Sequence, residues 1–171
     1  MKFLSIIFFM SLIAFSLNAV AKMTFDLKSG QSVQTGSNVN VKITAQISGS
    51  ASDSEAFKSG TFTLQKTDEP AVTATLTCNL TNAVTSTVAS NGEASTVEAE
   101  CTVASLTTAG TYKLSAVTAA KQDASNDCTA PEVKTTDGNT LTVTAPAPGG
   151  SDSNAKFLTA FYSLIALILF L

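Results

Sequence analysis

Short blocks in which apolar and polar residues alternate recur along the middle of this chain and constrain its fold most strongly. From residue 39 to residue 45, valine, isoleucine and alanine alternate with asparagine, lysine and threonine, and similar blocks cover 61–65, 72–80, 97–103, 111–115 and 140–144. Such alternation gives a strand one apolar and one polar face, as a half-buried antiparallel strand requires. Turn residues separate the blocks. About seven short strands in about 120 residues predict an all-β chain folded as a single antiparallel β-sandwich.

The two ends of the chain have a different composition. Met1 and Lys2 precede an apolar run at 3–17, and Ala19-Val20-Ala21 is typical of a signal-peptide cleavage site. We therefore expect residues 1–21 to be a cleaved signal peptide. The apolar run at 157–171 would form a helix of about 22 Å, against a hydrocarbon core of about 30 Å, so it is too short to span a bilayer comfortably.

We interpret residues 157–171 as a tail that is removed when a glycosylphosphatidylinositol (GPI) anchor is attached. The small and polar segment 145–156 precedes the tail, and this arrangement is the signal for GPI attachment. Gly150 is the predicted attachment residue, with Gly149 and Ser151 as alternatives. A short tail anchor that stays in the membrane is the other interpretation of this run.

The segment between the two ends, residues 22–144, is expected to be one domain. Over residues 22–150, eight lysines face twelve aspartates and glutamates, and arginine is absent from the whole sequence. A mildly acidic surface of this kind is unsuited to phosphate backbones, and it argues against nucleic acid as a partner.

Two stretches carry a resemblance to immunoglobulin-like (Ig-like) domains. Residues 106–114, Leu-Thr-Thr-Ala-Gly-Thr-Tyr-Lys-Leu, resemble the start of strand F, where a tyrosine hydroxyl bonds back to the preceding corner. Residues 29–41 resemble the A–B region of extracellular Ig-like modules in microbial surface proteins, and they are also similar to the amino-terminal domain of GPI-anchored fungal wall proteins. The resemblance implies an Ig-like sandwich. The chain departs from the pattern in two ways, because it has no tryptophan and no cysteine two residues after Tyr112.

Three cysteines allow three disulfide pairings and leave one thiol over. Cys78 and Cys101 both lie in the inward rows of predicted strands, so we expect them to pair, with Cys101–Cys128 as the alternative. Cys128, in the loop 121–137, would then be a free thiol. If it is exposed it could link two chains as a dimer, and if it is buried it would be inert.

Asn79-Leu80-Thr81 is a sequon for N-linked glycosylation. Asn79 lies in the outward row of its predicted strand, where a glycan would have room. An unmodified asparagine at a strand edge is the alternative.

The residue inventory excludes several kinds of catalytic site. The chain has no histidine and no arginine, which removes Ser-His and Cys-His nucleophile pairs and guanidinium clamps. Glu98 and Glu100 are the nearest approach to a carboxylate pair, but both point outward from a predicted strand. Acidic and amide residues at 123–127 and 137–139 could suggest calcium, although they are also ordinary turn residues. We predict a protein that is not an enzyme and holds no cofactor or metal.

These features predict a GPI-anchored glycoprotein on the extracellular face of the plasma membrane. Its Ig-like domain would mediate adhesion or ligand binding, with other surface proteins or glycans as partners. The alternative is a structural coat or cell-wall-associated protein without a specific ligand.

Overall fold

The computed structural model describes residues 21–36, 38–104 and 106–146. The predicted signal peptide (Ala21 apart), Gly149, Gly150, Ser151 and the apolar tail lie outside these residues. No helix in the described ranges is long and apolar enough to cross a membrane.

The described chain is all-β, as the alternating blocks predict. It contains nine strands: β1 (Lys22–Leu27), β2 (Gln31–Gln34), β3 (Val39–Ser48), β4 (Ser54–Lys66), β5 (Thr73–Thr87), β6 (Thr96–Val103), β7 (Gly110–Lys121), β8 (Glu132–Val133) and β9 (Leu141–Thr144). The alternating blocks correspond to β3, β4, β5, β6, β7 and β9, and they did not include β1, β2 or the two-residue β8.

All nine strands belong to one hydrogen-bonded sheet, in the order β2-β9-β7-β4-β5-β6-β3-β1-β8. The sheet is mixed rather than purely antiparallel, since β2 runs parallel to β9 and β8 runs parallel to β1. Alternation specifies which face of a strand is buried but not the direction of its neighbour, so the parallel edges could not be predicted. The sheet curls as a half-barrel around its core.

Three phenylalanines occupy the centre of that core. The ring of Phe25 on β1 lies 4.9 Å, between centroids, from the rings of both Phe57 and Phe62 on β4. A Cβ atom on Gly60 would lie about 3 Å from both β4 rings and from the Ala119 carbonyl. Glycine at position 60 therefore lets the two rings close over the backbone of β4.

Strand β5 pairs with β4 in two separate stretches. Phe57 pairs with Val84, but after the register shift Ser59 pairs with Asn79, so the segment 80–83 lies opposite a single residue of β4. Such extra residues form a bulge that bends a strand. This bulge begins immediately after Asn79 and contains the rest of the sequon.

Tyr112, near the start of β7, forms the hydrogen bond that the Ig-like resemblance implies. Its side chain is buried, and its hydroxyl donates to the Thr108 carbonyl oxygen at 2.9 Å. Two residues earlier Gly110 has a φ of 150°, and a Cβ there would collide with the buried stem of Lys66. Glycine at 110 thus fits both the backbone conformation and the space.

Candidate functional site

The predicted disulfide between Cys78 and Cys101 is present. The two cysteines face each other across β5 and β6 with Cα atoms 4.2 Å apart, and both are buried. Alternation identified the pair because it placed both side chains in inward rows.

Cys128 is the remaining thiol, and its side chain is buried. Its sulfur donates to the Ala56 carbonyl oxygen at 3.5 Å. Burial, with smaller contributions from the carboxylates of Glu55 and Asp127, raises the pKa of Cys128 to about 12. The thiol is therefore protonated and shielded at neutral pH, so a disulfide to a second chain would first require local opening around it.

Asn79 is exposed on the outward row of β5, directly opposite Ser59 on β4. The structure thus gives the sequon asparagine the outward position expected from its strand. Glycosylation of Asn79 stays a prediction.

The acidic loop residues do not converge. Asp123 accepts hydrogen bonds from the Asn126 side chain and from the backbone N–H groups of Ser125 and Asn126, and these bonds hold the pKa of Asp123 below its usual range. Asn139 instead donates to Asp26. Within the described ranges, no three histidine, cysteine, aspartate or glutamate side chains are grouped as metal ligands.

Glu98 and Glu100 lie on the outward face of β6, as predicted, and each has its own partner. The Lys28 ammonium lies 2.6 Å from a Glu98 oxygen, and this hydrogen bond lowers the pKa of Glu98. Glu100 accepts from the Asn40 side chain at 2.7 Å. Each carboxylate thus takes part in an exposed surface pair.

A groove that sequence reasoning missed lies on the outer face of β1, β3 and β6. We call it the β1 groove; it has a volume of about 270 Å³. Its floor is formed by outward residues of the three strands, and the segment between β8 and β9 forms one wall. The polar residues that line the groove include Thr24, Asp26, Thr44, Gln46, Thr96 and Lys134.

Asp26 joins the floor of this groove to its wall. One carboxylate oxygen accepts from the Leu27 N–H at 2.8 Å, and the other accepts from the Thr136 N–H at 3.2 Å and from the Asn139 side chain at 2.9 Å. The side chain is buried, so these bonds to a charged acceptor are protected from water and comparatively strong. The wall is thereby fixed against β1.

The remaining polar groups of the β1 groove are arranged to accept hydrogen bonds. The Thr24 hydroxyl donates to the Gln46 carbonyl at 2.9 Å, and the Gln46 amide donates to the Ala94 carbonyl at 3.0 Å. A hydroxyl that donates inward keeps its lone pairs for another donor, and the Gln46 side-chain oxygen is likewise an acceptor. Lys134 supplies donors, and no ion pair among the described residues includes it.

No alternating pattern could have revealed the groove. Asp26 lies between two core residues, and only the loop that folds over it makes its outward side chain buried. Asn139 did stand out in the sequence, as a turn residue, but its partner lies 113 positions away.

The comparisons with known proteins identify no relative. The chain matches no family model, no curated protein and no solved structure.

Proposed function

We propose that this chain is a GPI-anchored cell-surface glycoprotein whose Ig-like domain binds a hydroxyl-rich ligand, such as a surface glycan, through the β1 groove. The observation that carries the proposal is the groove itself, a polar recess whose wall is fixed by Asp26 and whose free groups accept hydrogen bonds.

The strand order supports an Ig-like sandwich. In Ig-like domains strands A, B, E and D form one sheet, and C, F and G form the other. Here β1, β3, β6 and β5 are adjacent in the order that corresponds to A, B, E and D, and β4, β7 and β9 are adjacent in the order of C, F and G. The two groups are joined because β5 also pairs with β4. On this interpretation β5 is a strand D that closes one edge of the sandwich.

The hydrogen bond of Tyr112 supports the same assignment. A tyrosine at the start of strand F that bonds to the backbone a few residues upstream is a hallmark of these domains. Tyr112 on β7 makes such a bond to Thr108.

The location rests on the two ends of the sequence. A secretory signal over residues 1–21 and a GPI signal over 145–171 agree with each other, since the anchor is added only in the secretory pathway. A disulfide-bonded domain also suits an oxidising compartment.

The groove favours a neutral or weakly acidic ligand with many hydroxyl groups. Such a ligand can donate to the threonine hydroxyls and to the Gln46 oxygen, and it can accept from the Lys134 ammonium. A single shallow groove gives weak contacts, and many anchored copies on one membrane would raise the overall avidity.

Phospholipase treatment of intact cells tests the location. Phosphatidylinositol-specific phospholipase C should release the protein, and mass spectrometry of the released form should find the glycan and inositol phosphate of the anchor, without its lipid, on Gly150, Gly149 or Ser151. Retention on the cell with Leu171 still present would overturn the anchor.

Binding of the released protein to glycan arrays and to cells tests the function. We expect saturable binding that Lys134→Glu and Thr96→Tyr weaken at least fivefold, while Lys113→Glu, on the outward face of β7 away from the groove, leaves it unchanged. An abundant surface protein that shows no saturable binding would favour the structural coat instead.

A further inference from the structure

A second recess lies beside the sequon asparagine, on the opposite half of the sheet from the β1 groove. We call it the Gly60 trough. It has a volume of about 340 Å³ and follows the middle of β4 between β5 and β7. Its lining includes Ser59, Gly60, Thr61, Thr77, Asn79, Ala119 and Lys121.

The trough exists because small residues lie where three strands run side by side. Ser59 pairs with Asn79 on one side and with Lys121 on the other. The next outward row pairs Thr61 with Thr77 and with Ala119. Gly60, between these two rows, contributes only its backbone to the trough, because its side-chain position faces the core phenylalanines.

Asn79 is placed to direct an attached group into this recess. It lies in the same outward row as Ser59 and Lys121, and neighbouring strands are about 4.8 Å apart, so the row spans about 10 Å. Two pyranose rings joined in a chain cover a similar distance. Immediately beyond Asn79 the bulge at 80–83 interrupts the pairing of β5 with β4.

We propose that the Gly60 trough is the binding site of the chain's own N-linked glycan, with the first two N-acetylglucosamine residues lying across β4 from Asn79 toward Lys121. The proposal rests on the proposed function only in requiring the secretory route that delivers the glycan.

The lining of the trough matches the chemistry of these sugars. A pyranose ring has an apolar face, which the Ala119 methyl group and the Gly60 backbone can cover, and a rim of hydroxyl and acetamido groups. The hydroxyls of Ser59 and Thr61 can bond to that rim. Because the glycan is covalently attached, it does not lose the translational freedom that a separate ligand loses on binding.

The bound sugar stabilises the domain and shields β4. The contacts of the sugar rings with three strands are lost when the sheet opens, so these contacts stabilise the folded state over the unfolded one. They also cover the backbone of the strand that carries Gly60 between two core phenylalanines.

The test begins with the full-length protein purified from its cells. Mass spectrometry of the peptide that contains Asn79 should find it glycosylated. One sample is trimmed with an endoglycosidase that leaves a single N-acetylglucosamine, and another is stripped with a peptide N-glycosidase, which leaves aspartate at position 79. We expect stripping to lower the melting temperature by about 3 °C, and trimming, which removes the second of the two sugars, to lower it by a smaller amount.

Hydrogen exchange distinguishes a bound glycan from one that extends into solvent. The glycan should slow exchange at residues 59–61 and 119–121, and stripping should remove the effect. Unchanged exchange and an unchanged melting temperature would overturn the proposal in favour of a solvent-exposed glycan.

Two variants on one strand provide a matched comparison. Thr61→Tyr fills the trough, whereas Thr63→Tyr adds the same side chain to the same face of β4 outside it. The melting-temperature difference between glycosylated and stripped protein should disappear in Thr61→Tyr and persist in Thr63→Tyr. An equal difference in both variants would contradict the proposal.

The outcomes separate this inference from the proposed function. A protein that reaches the cell surface with unmodified Asn79 overturns the bound glycan and leaves the surface role standing. A bound glycan on a protein that phospholipase does not release supports the trough and overturns the anchor.

Discussion

Removal of the Cys78–Cys101 disulfide should destabilise the domain by an amount that depends on the length of the loop it closes. The two cysteines are 23 positions apart, and in the chain-entropy model closing such a loop lowers the entropy of the unfolded state by an amount worth about 3 kcal/mol. Both side chains are also buried. Truncating each to alanine adds a packing loss of about 1 kcal/mol. For Cys78→Ala/Cys101→Ala we therefore expect a loss of about 5 kcal/mol.

Cys128→Ala is the matched control, because it truncates a buried cysteine without breaking a cross-link. It should lose only the packing contribution of about 1 kcal/mol. Urea unfolding followed by circular dichroism measures both variants. With a slope of about 2 kcal/mol per molar urea, the midpoint of the double variant should fall by about 2.5 M and that of the control by about 0.5 M.

The slope of the unfolding curve gives a second readout. Without the cross-link the unfolded chain is more extended and exposes more surface, so the slope should rise. The reasoning from loop length would be refuted if the double variant lost no more than twice the stability that the control loses and its unfolding slope did not change. The disulfide would then not constrain the unfolded state.

Four further predictions concern three buried residues. Asp26→Ala should lower the free energy of unfolding by about 3 kcal/mol in urea titrations, because three donors lose a charged acceptor, and Asp26→Asn, which keeps one acceptor oxygen, should lose less. Gly60→Ala should lower it by about 2 kcal/mol, because the new methyl group meets two core rings, whereas Ser59→Ala, an outward neighbour, should change it by less than about 0.5 kcal/mol. Native Cys128 should react with iodoacetamide at pH 8 about a hundredfold more slowly than in urea. The pKa of Cys128 is raised from 9.0 to about 12, so as pH rises the thiol of the unfolded chain loses its proton before that of the folded chain. The free energy of unfolding should therefore fall between about pH 9 and 12 by about 1.4 kcal/mol per pH unit. Cys128→Ala should remove this slope.

The strands and the disulfide could be predicted because both depend on local alternation. Once the inward row of each block is known, Cys78 and Cys101 fall on buried faces, and two buried cysteines on neighbouring strands can reach each other. The same reasoning placed Asn79 outward. Each inference uses only the two-residue period of a strand.

The path of β5 could not be predicted, because it depends on long-range pairing. The alternating block at 72–80 shows where the strand faces inward, but β5 continues to Thr87 through a bulge and pairs with β4 a second time. Nothing in the alternation shows that one strand joins both halves of the sheet. The β1 groove was missed for a similar reason, since Asp26 becomes buried only through a loop more than a hundred positions away.

The sequon and the bulge illustrate how local alternation and long-range strand pairing combine. The motif predicts that Asn79 accepts a glycan, and alternation places it outward, but neither indicates what lies beside it. The neighbours of Asn79 on its outward row are set by the register of β4 with β5 and β7, which brings Ser59 and Lys121 into line with it. Moving that register by one residue would turn the neighbouring side chains to the other face. The bulge at 80–83 holds the register on one side and the Gly60 contact with the core holds β4 on the other, so the trough beside Asn79 follows from the same packing that stabilises the domain.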